Sequence, residues 1–235
     1  TNIAFLLEFF YTGYMNMRKN FLLTMILFCL CFPLWAAAES DEYSLDPQLF
    51  IYYAQLTEDE QAVYVQAVDT FSSGNTSFSP NRIISLDSAD RIMHAVCKDQ
   101  PQLFWLQESF QYEYRQHLTG WEEVTVITAD FNDLADNLED NRSHLESQRD
   151  ALIGDLYDLP DWQQEKYVHD RLASMISYSS ESDYNQTLYS ALCQQETVCA
   201  GYARAFQYLM TSLGVPCYYC EGSALSSSSA DNDWD

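Results

Sequence analysis

The sequence predicts an α+β fold, and three observations predict it. Tyr202, Phe206, Leu209, Met210 and Leu213 recur at helical spacing and draw one apolar stripe. Phe110–Tyr114 and Trp121–Thr128 alternate as the strands of a small antiparallel sheet do. Of the 235 residues, 47% are hydrophobic and 15% aromatic, which supplies a substantial core for one large domain or two small ones.

In chain order, Met17-Arg18-Lys19 is a short positive region, and Phe21 through Leu34 is uncharged and apolar. Ala36-Ala37-Ala38 offers the small–x–small pattern of a signal peptidase site, so cleavage is expected after Ala38. Initiation at Met15 or Met17 places Thr1–Tyr14 upstream, and 1–38 reads as upstream residues plus a signal peptide. The competing reading is an uncleaved anchor, because Phe21–Ala38 is long enough to span a bilayer. The expected destination is the cell envelope or the exterior, with membrane contact only through that leader.

Residues 39–128 read as a mixed α/β leader module. Thr57 and Glu60 form a capping box, and the helix they start runs to Ser72-Ser73-Gly74. Arg82–Leu86 reads as a short strand. A second helix is expected over Ser88 to Cys97 with Ile92, Met93 and Val96 inward, and Pro101 follows as a breaker. Residues 129–160 read as a connector. Phe131, Leu134, Leu138, Leu145, Leu152, Ile153 and Leu156 trace a long acidic helix from Asp130, with the spacing slipping between 138 and 145.

Residues 161–235 form the last region. Pro160 suits the first position of a helix that buries Val168, Leu172, Met175 and Ile176. A short helix is expected over Thr187–Leu192, then the helix of the apolar stripe, stopped by Gly214. Cys217–Gly222 reads as a strand and Ser223–Asp235 as a loop or frayed end.

Charge excludes whole classes of partner. With 11 Lys+Arg against 35 Asp+Glu the formal net charge is -24, so nucleic acid and acidic lipid surfaces are not expected. No GxGxxG, P-loop or HExxH occurs and no calcium loop is legible, so no cofactor is expected. Of the 7 cysteines, Cys29 and Cys31 lie in the leader; Cys97, Cys193, Cys199, Cys217 and Cys220 remain. That count leaves one thiol unpaired and the other four in two bridges or none. Cys217-Tyr-Tyr-Cys220 has no second pair at finger spacing and no nearby His, so no metal site is expected.

Cys199 is the candidate nucleophile. It sits in the first turn of the stripe helix, where unpartnered N–H groups and the macrodipole favour a thiolate over a thiol. Ala200 and Gly201 are small, which suggests room for a substrate carbonyl beside the sulfur. The run Gln186-Thr-Leu-Tyr-Ser-Ala-Leu-Cys-Gln-Gln-Glu-Thr-Val-Cys199-Ala-Gly-Tyr-Ala-Arg-Ala-Phe206, followed by Leu213-Gly-Val-Pro-Cys-Tyr-Tyr-Cys-Glu-Gly222, resembles the core of the transglutaminase-like superfamily. Val168-His169-Asp170-Arg171-Leu172 with Ile176-Ser177-Tyr178 resembles the preceding helix in bacterial exported members. Asp99-Gln-Pro-Gln-Leu-Phe-Trp105 resembles part of their leader domain.

The resemblance implies a papain-like thiol fold, with the cysteine helix packed on antiparallel strands. It also implies a Cys–His–Asp triad and acyl transfer or hydrolysis on protein or peptide amides through a thioester on Cys199. The family's His lies on a strand after the motif, typically in His-Ala-Trp-Asn, and its Asp on the next. Neither motif is present, and all four histidines, His94, His117, His144 and His169, lie upstream. The missing pair and its strands are therefore expected beyond residue 235, and these residues alone are expected to be inactive. His169 matches a family position outside the triad and reads as structural. Arg204 is expected to point away from the sulfur toward solvent or an acidic neighbour. The alternative is a non-catalytic exported binding or adhesion module on the same fold.

Overall fold

The computed structural model describes residues 45–222. The expected leader, with cleavage after Ala38, and the stretch 223–235 lie outside the described residues. The architecture is mixed α and β, with six α-helices and a small antiparallel sheet among those residues.

Helix α1 is a single turn, Ile51–Ala54; α2 spans Glu58–Ser72 and α3 spans Leu86–Asp99. The capping box at Thr57 is formed in full: Glu60 N–H donates to Thr57 Oγ1 and Thr57 N–H donates back to the Glu60 carboxylate at 3.0 Å. Thr57→Ala is expected to cost about 1 kcal/mol, read as a lower urea midpoint at constant slope. Helix α3 begins two residues earlier than its apolar period suggests, because Ser85 Oγ accepts the Ser88 N–H at 3.1 Å and caps it. Arg82–Leu86 is consequently not a strand; only Ser85 makes an isolated bridge, to Glu123.

Strands β1 (Ser77–Phe78), β2 (Leu106–Gln116) and β3 (Glu122–Phe131) form an antiparallel sheet in the order β1-β3-β2. The β2–β3 hairpin contains the two alternating segments, paired with Phe110 opposite Ala129 and Tyr112 opposite Ile127. Ile127 and Ala129 are buried two residues apart, as period-two alternation requires, and Val124 is buried out of phase with them across a register shift opposite Glu113 and Tyr114. Gly120 closes the turn at φ +81°, where a side chain would be strained.

The connector departs from the expected long helix. Strand β3 persists to Phe131, and Asn132 then caps a 3-10 turn, Asp133–Asn137, by accepting the Leu134 N–H at 3.0 Å. Helix α4 starts only at Leu138 and ends at Ile153. The interval between 138 and 145, where the spacing slips, lies inside continuous α4, and the change of helical pitch comes before it, between Asn137 and Leu138. Helix α5, Asp161–Met175, follows Pro160, which stands at its N-cap.

Strand β4 (Ser177–Tyr178) and strand β5 (Glu196–Thr197) pair in parallel. Between them lies a π-helical turn, Ser190–Gln194. Helix α6, Cys199–Ser212, ends at Leu213, and Gly214 adopts φ +80°. Cys217–Gly222 is irregular rather than a strand. It is held by side chains instead of a ladder: Tyr219 lies between the Lys98 ammonium at 5.0 Å and the Arg204 guanidinium at 4.5 Å from its ring centre.

One continuous core runs from Val63, Tyr64 and Phe71 on α2, through Ile92 and Ile127, to Ile153, Leu172, Leu192 and Leu209. No helix among the described residues is long and apolar enough to cross a membrane.

Candidate active site

Cys199 is the first residue of α6 and is exposed. Its helix is fixed from three sides. Ala205, Tyr208, Leu209 and Met210 are buried, while Tyr202, Phe206 and Leu213 are only half covered. The buried stripe is therefore rotated from the one drawn by the large residues, because a small residue, Gly201, sets the closest approach. A Cβ at Gly201 would lie 1.9 Å from Thr197 Oγ1 and 2.8 Å from the Thr187 carbonyl oxygen. Gly201 is thus buried against β5, and its smallness serves packing. The expectation that it opens space beside the sulfur is corrected on that ground.

Thr197 is fully buried and anchors the turn into the helix. Its hydroxyl donates to the Asn185 carbonyl at 2.5 Å and lies 2.8 Å from Ser190 Oγ. The same Asn185 carbonyl accepts the Val198 N–H at 3.0 Å. The strand-to-helix step is thereby tied to the loop before the π turn. Two non-glycine residues in this region hold left-handed backbones, Tyr184 at φ +57° and Gln195 at φ +59°. Gln195 ends the π turn and redirects the chain into β5.

The other end of the site is tied to α3. Arg204 Nη1 donates to the Cys97 carbonyl at 3.0 Å and Gln207 Nε2 donates to the Lys98 carbonyl at 2.8 Å. Carbonyls in the last turn of a helix lack partners of their own, so two side chains of α6 cap the C-terminus of α3. Arg204 Nη2 also meets Glu108 at 2.6 Å, an acidic neighbour as expected but 96 residues away. Tyr202 uses its hydroxyl on the Ile176 carbonyl at 2.6 Å.

The helix start itself is left open. Val198 is the N-cap, and no side chain caps the first turn. Valine is among the poorest N-cap residues, since it offers no acceptor for the first N–H groups. With no side-chain acceptor, N–H groups of a first turn are available to an anion such as a thiolate or a developing oxyanion.

The five thiols of the described residues are all free, and they differ sharply. Burial pushes the Cys97 thiol up to about 12, with the Glu108 carboxylate adding to the effect, and burial pushes the Cys193 thiol up to about 12. Burial raises Cys217 as well. Cys199 and Cys220 are the exposed pair.

None of the four imidazoles is engaged with Cys199. His94 lies edge-on to Tyr52, His117 meets Glu123 at 2.7 Å, His144 lies 3.4 Å from Gln148, and His169 meets its neighbour Asp170 at 3.1 Å. His169 is solvent-exposed at 72% of its side chain. A cleft of about 470 Å³ opens along the loop that precedes Cys199, lined by Asn185, Gln186, Thr187 and Arg204; Cys199 does not line it. Among the described residues no three His, Cys, Asp or Glu side chains converge on a metal position. The chain matches no known protein-family model and no curated protein sequence.

Sequence reasoning located Cys199 but missed Thr197 and the uncapped helix start. The signal was present: a valine at an N-cap next to a glycine two residues into the helix.

Proposed function

We propose that the protein is an exported, transglutaminase-like cysteine enzyme in which Cys199 attacks protein or peptide amides. The observation that carries this reading is an exposed thiol on the first residue of a helix whose N-terminal N–H groups no side chain caps. In the proposed step the Cys199 thiolate adds to the amide carbonyl, and the carbonyl oxygen, now an anion, is received by those N–H groups. Collapse of the adduct forms the thioester and expels the amine, which takes a proton from an imidazolium. Water or a second amine then attacks the thioester and returns the thiol. His94, His117, His144 and His169 each have their contacts elsewhere, so the imidazolium of this step is assigned to none of them.

The test is independent of turnover. Native protein is treated with iodoacetamide, and labelling at each cysteine is followed by peptide mass spectrometry. Cys199 is expected to react about tenfold or more faster than Cys220, which is also exposed but sits on irregular chain. Cys97 and Cys193 are expected to label only on unfolding. If Cys199 reacts no faster than Cys220, the acyl-transfer reading fails and the non-catalytic binding module takes its place.

A further inference from the structure

At the C-terminal end of α6, two turns and more beyond Gly201, a separate cleft of about 400 Å³ lies between α4, α6 and the end of α2. Its floor is apolar: Phe50, Leu103, Trp105 and Leu145. Two of the 11 basic residues of a chain carrying a net charge of -24 converge on its wall, Arg142 and Arg149, two turns apart on α4. Both guanidiniums are largely withdrawn from solvent, with 30% and 27% of their side chains exposed. Arg142 is held in place by the Ser72 carbonyl at 2.5 Å and by the face of Trp105, 5.2 Å from the ring centre. Its Nη1 is 3.6 Å from Glu139, beyond hydrogen-bond range, so Nε and Nη1 retain unshared protons. Arg149 spends Nε and Nη2 on Asp150 at 2.8 Å and Nη1 on the Tyr208 hydroxyl at 3.3 Å. Ser212 and Thr211 add hydroxyls on the opposite wall.

We infer that this cleft binds a small carboxylate with a flat apolar body, its carboxylate on Arg142 and Arg149 and its body on the floor formed by Trp105 and Leu145. The volume falls in the range of small-molecule sites, and the pattern of an apolar bed with a few convergent polar groups is that of a ligand pocket. Guanidinium recognises carboxylate through charge-assisted N–H bonds, which the unshared protons of Arg142 supply. Of the charged side chains that line the cleft, Arg142 and Arg149 stand against Glu146 alone, which leaves one positive charge and suits an occupant with one negative charge rather than two. The same chemistry is presented by a free aromatic acid and by the C-terminus of a peptide ending in an aromatic residue.

The experiment is calorimetric titration of the full chain with phenylacetate, phenylacetamide, inorganic phosphate, and Gly-Gly-Phe with a free or an amidated C-terminus. Both free carboxylates, or one of them, should saturate below about 10 mM, and the amides and phosphate should not. The tighter of the two identifies the source as free acid or peptide terminus. Arg142→Gln and Arg149→Gln should each weaken binding about tenfold or more. Glu146→Gln, an exposed position with no packing role, should strengthen it about threefold by removing a like charge from the rim. Absence of saturable binding by either carboxylate, equal binding of phenylacetamide, or a Glu146→Gln variant that fails to bind more tightly overturns the inference. Those outcomes leave the Cys199 reading untouched, because none of these residues adjoins it.

Discussion

Gly201→Ala is expected to destabilise the protein by about 3 kcal/mol or more, against the usual sign for glycine within a helix. In an exposed helix interior, alanine is better than glycine by about 1 kcal/mol, since it removes backbone entropy from the unfolded chain. At position 201 that gain is overwhelmed. The new methyl would overlap Thr197 Oγ1 and Cβ, at 1.9 and 2.9 Å, and the Thr187 backbone oxygen at 2.8 Å. Thr197 cannot swing aside, because its hydroxyl is committed to the Asn185 carbonyl beside Ser190 Oγ. Relief requires α6 to lift from β5, which uncovers Leu209 and Met210 at its far end. The control is Ala203→Gly, an exposed position on the same helix, expected to cost only about 1 kcal/mol. Equilibrium urea unfolding of both variants checks the contrast; a Gly201→Ala variant as stable as the parent would mean that the helix start is not packed as described. In the same variant the labelling rate of Cys199 is expected to fall toward that of Cys220, since the first turn no longer holds its N–H groups beside the sulfur.

The parts of the fold that could be read in the sequence are those decided within one element. The capping box at Thr57, the inward face Ile92, Met93 and Val96, the hairpin alternation and the stop at Gly214 are all local, and all are present. The errors lie where a distant partner decides. Phe131, Leu134 and Leu138 fit a helical period, yet Phe131 pairs with Leu106 across the sheet and Asn132 breaks the run. Cys217–Gly222 has the aromatic content of a strand, but its energy comes from Tyr219 set between Lys98 and Arg204 and from the Tyr52 hydroxyl donating to the Tyr219 carbonyl at 2.8 Å. The candidate site divides in the same way. A cysteine opening an amphipathic helix is visible in one dimension; the capping of α3 by Arg204 and Gln207, and the contact that makes Gly201 necessary, join residues far apart in sequence. The pairing of Arg142 and Arg149 into one cleft needed the fold as well, since on the sequence alone they are two scattered charges on an acidic helix.

The last of the large effects concerns pH. Asp99 is buried at the end of α3, and its carboxylate accepts the N–H groups of Tyr52 and Tyr53 at 3.3 and 2.7 Å, capping the single-turn helix α1 from another element. Burial raises its pKa from the ordinary 3.8 to about 6, because desolvation outweighs those hydrogen bonds. A carboxyl whose pKa is higher in the folded than in the unfolded state binds protons more tightly when folded. Its contribution to stability is fully present below 3.8 and is lost as pH rises through about 6. Between those limits the loss amounts to roughly 3 kcal/mol. Other carboxylates of this acidic chain also titrate there, so the parent profile alone does not isolate the residue. Asp99→Asn does: it keeps an acceptor for one of the two N–H groups and cannot ionise. The stability difference between parent and variant is therefore expected to be largest at pH 4, where the parent carboxyl is neutral, and to shrink by roughly 3 kcal/mol by pH 7. Parallel stability profiles for the two proteins across that interval would show that Asp99 is ionised as readily in the fold as in water, and that α1 is held by something other than a buried carboxyl group.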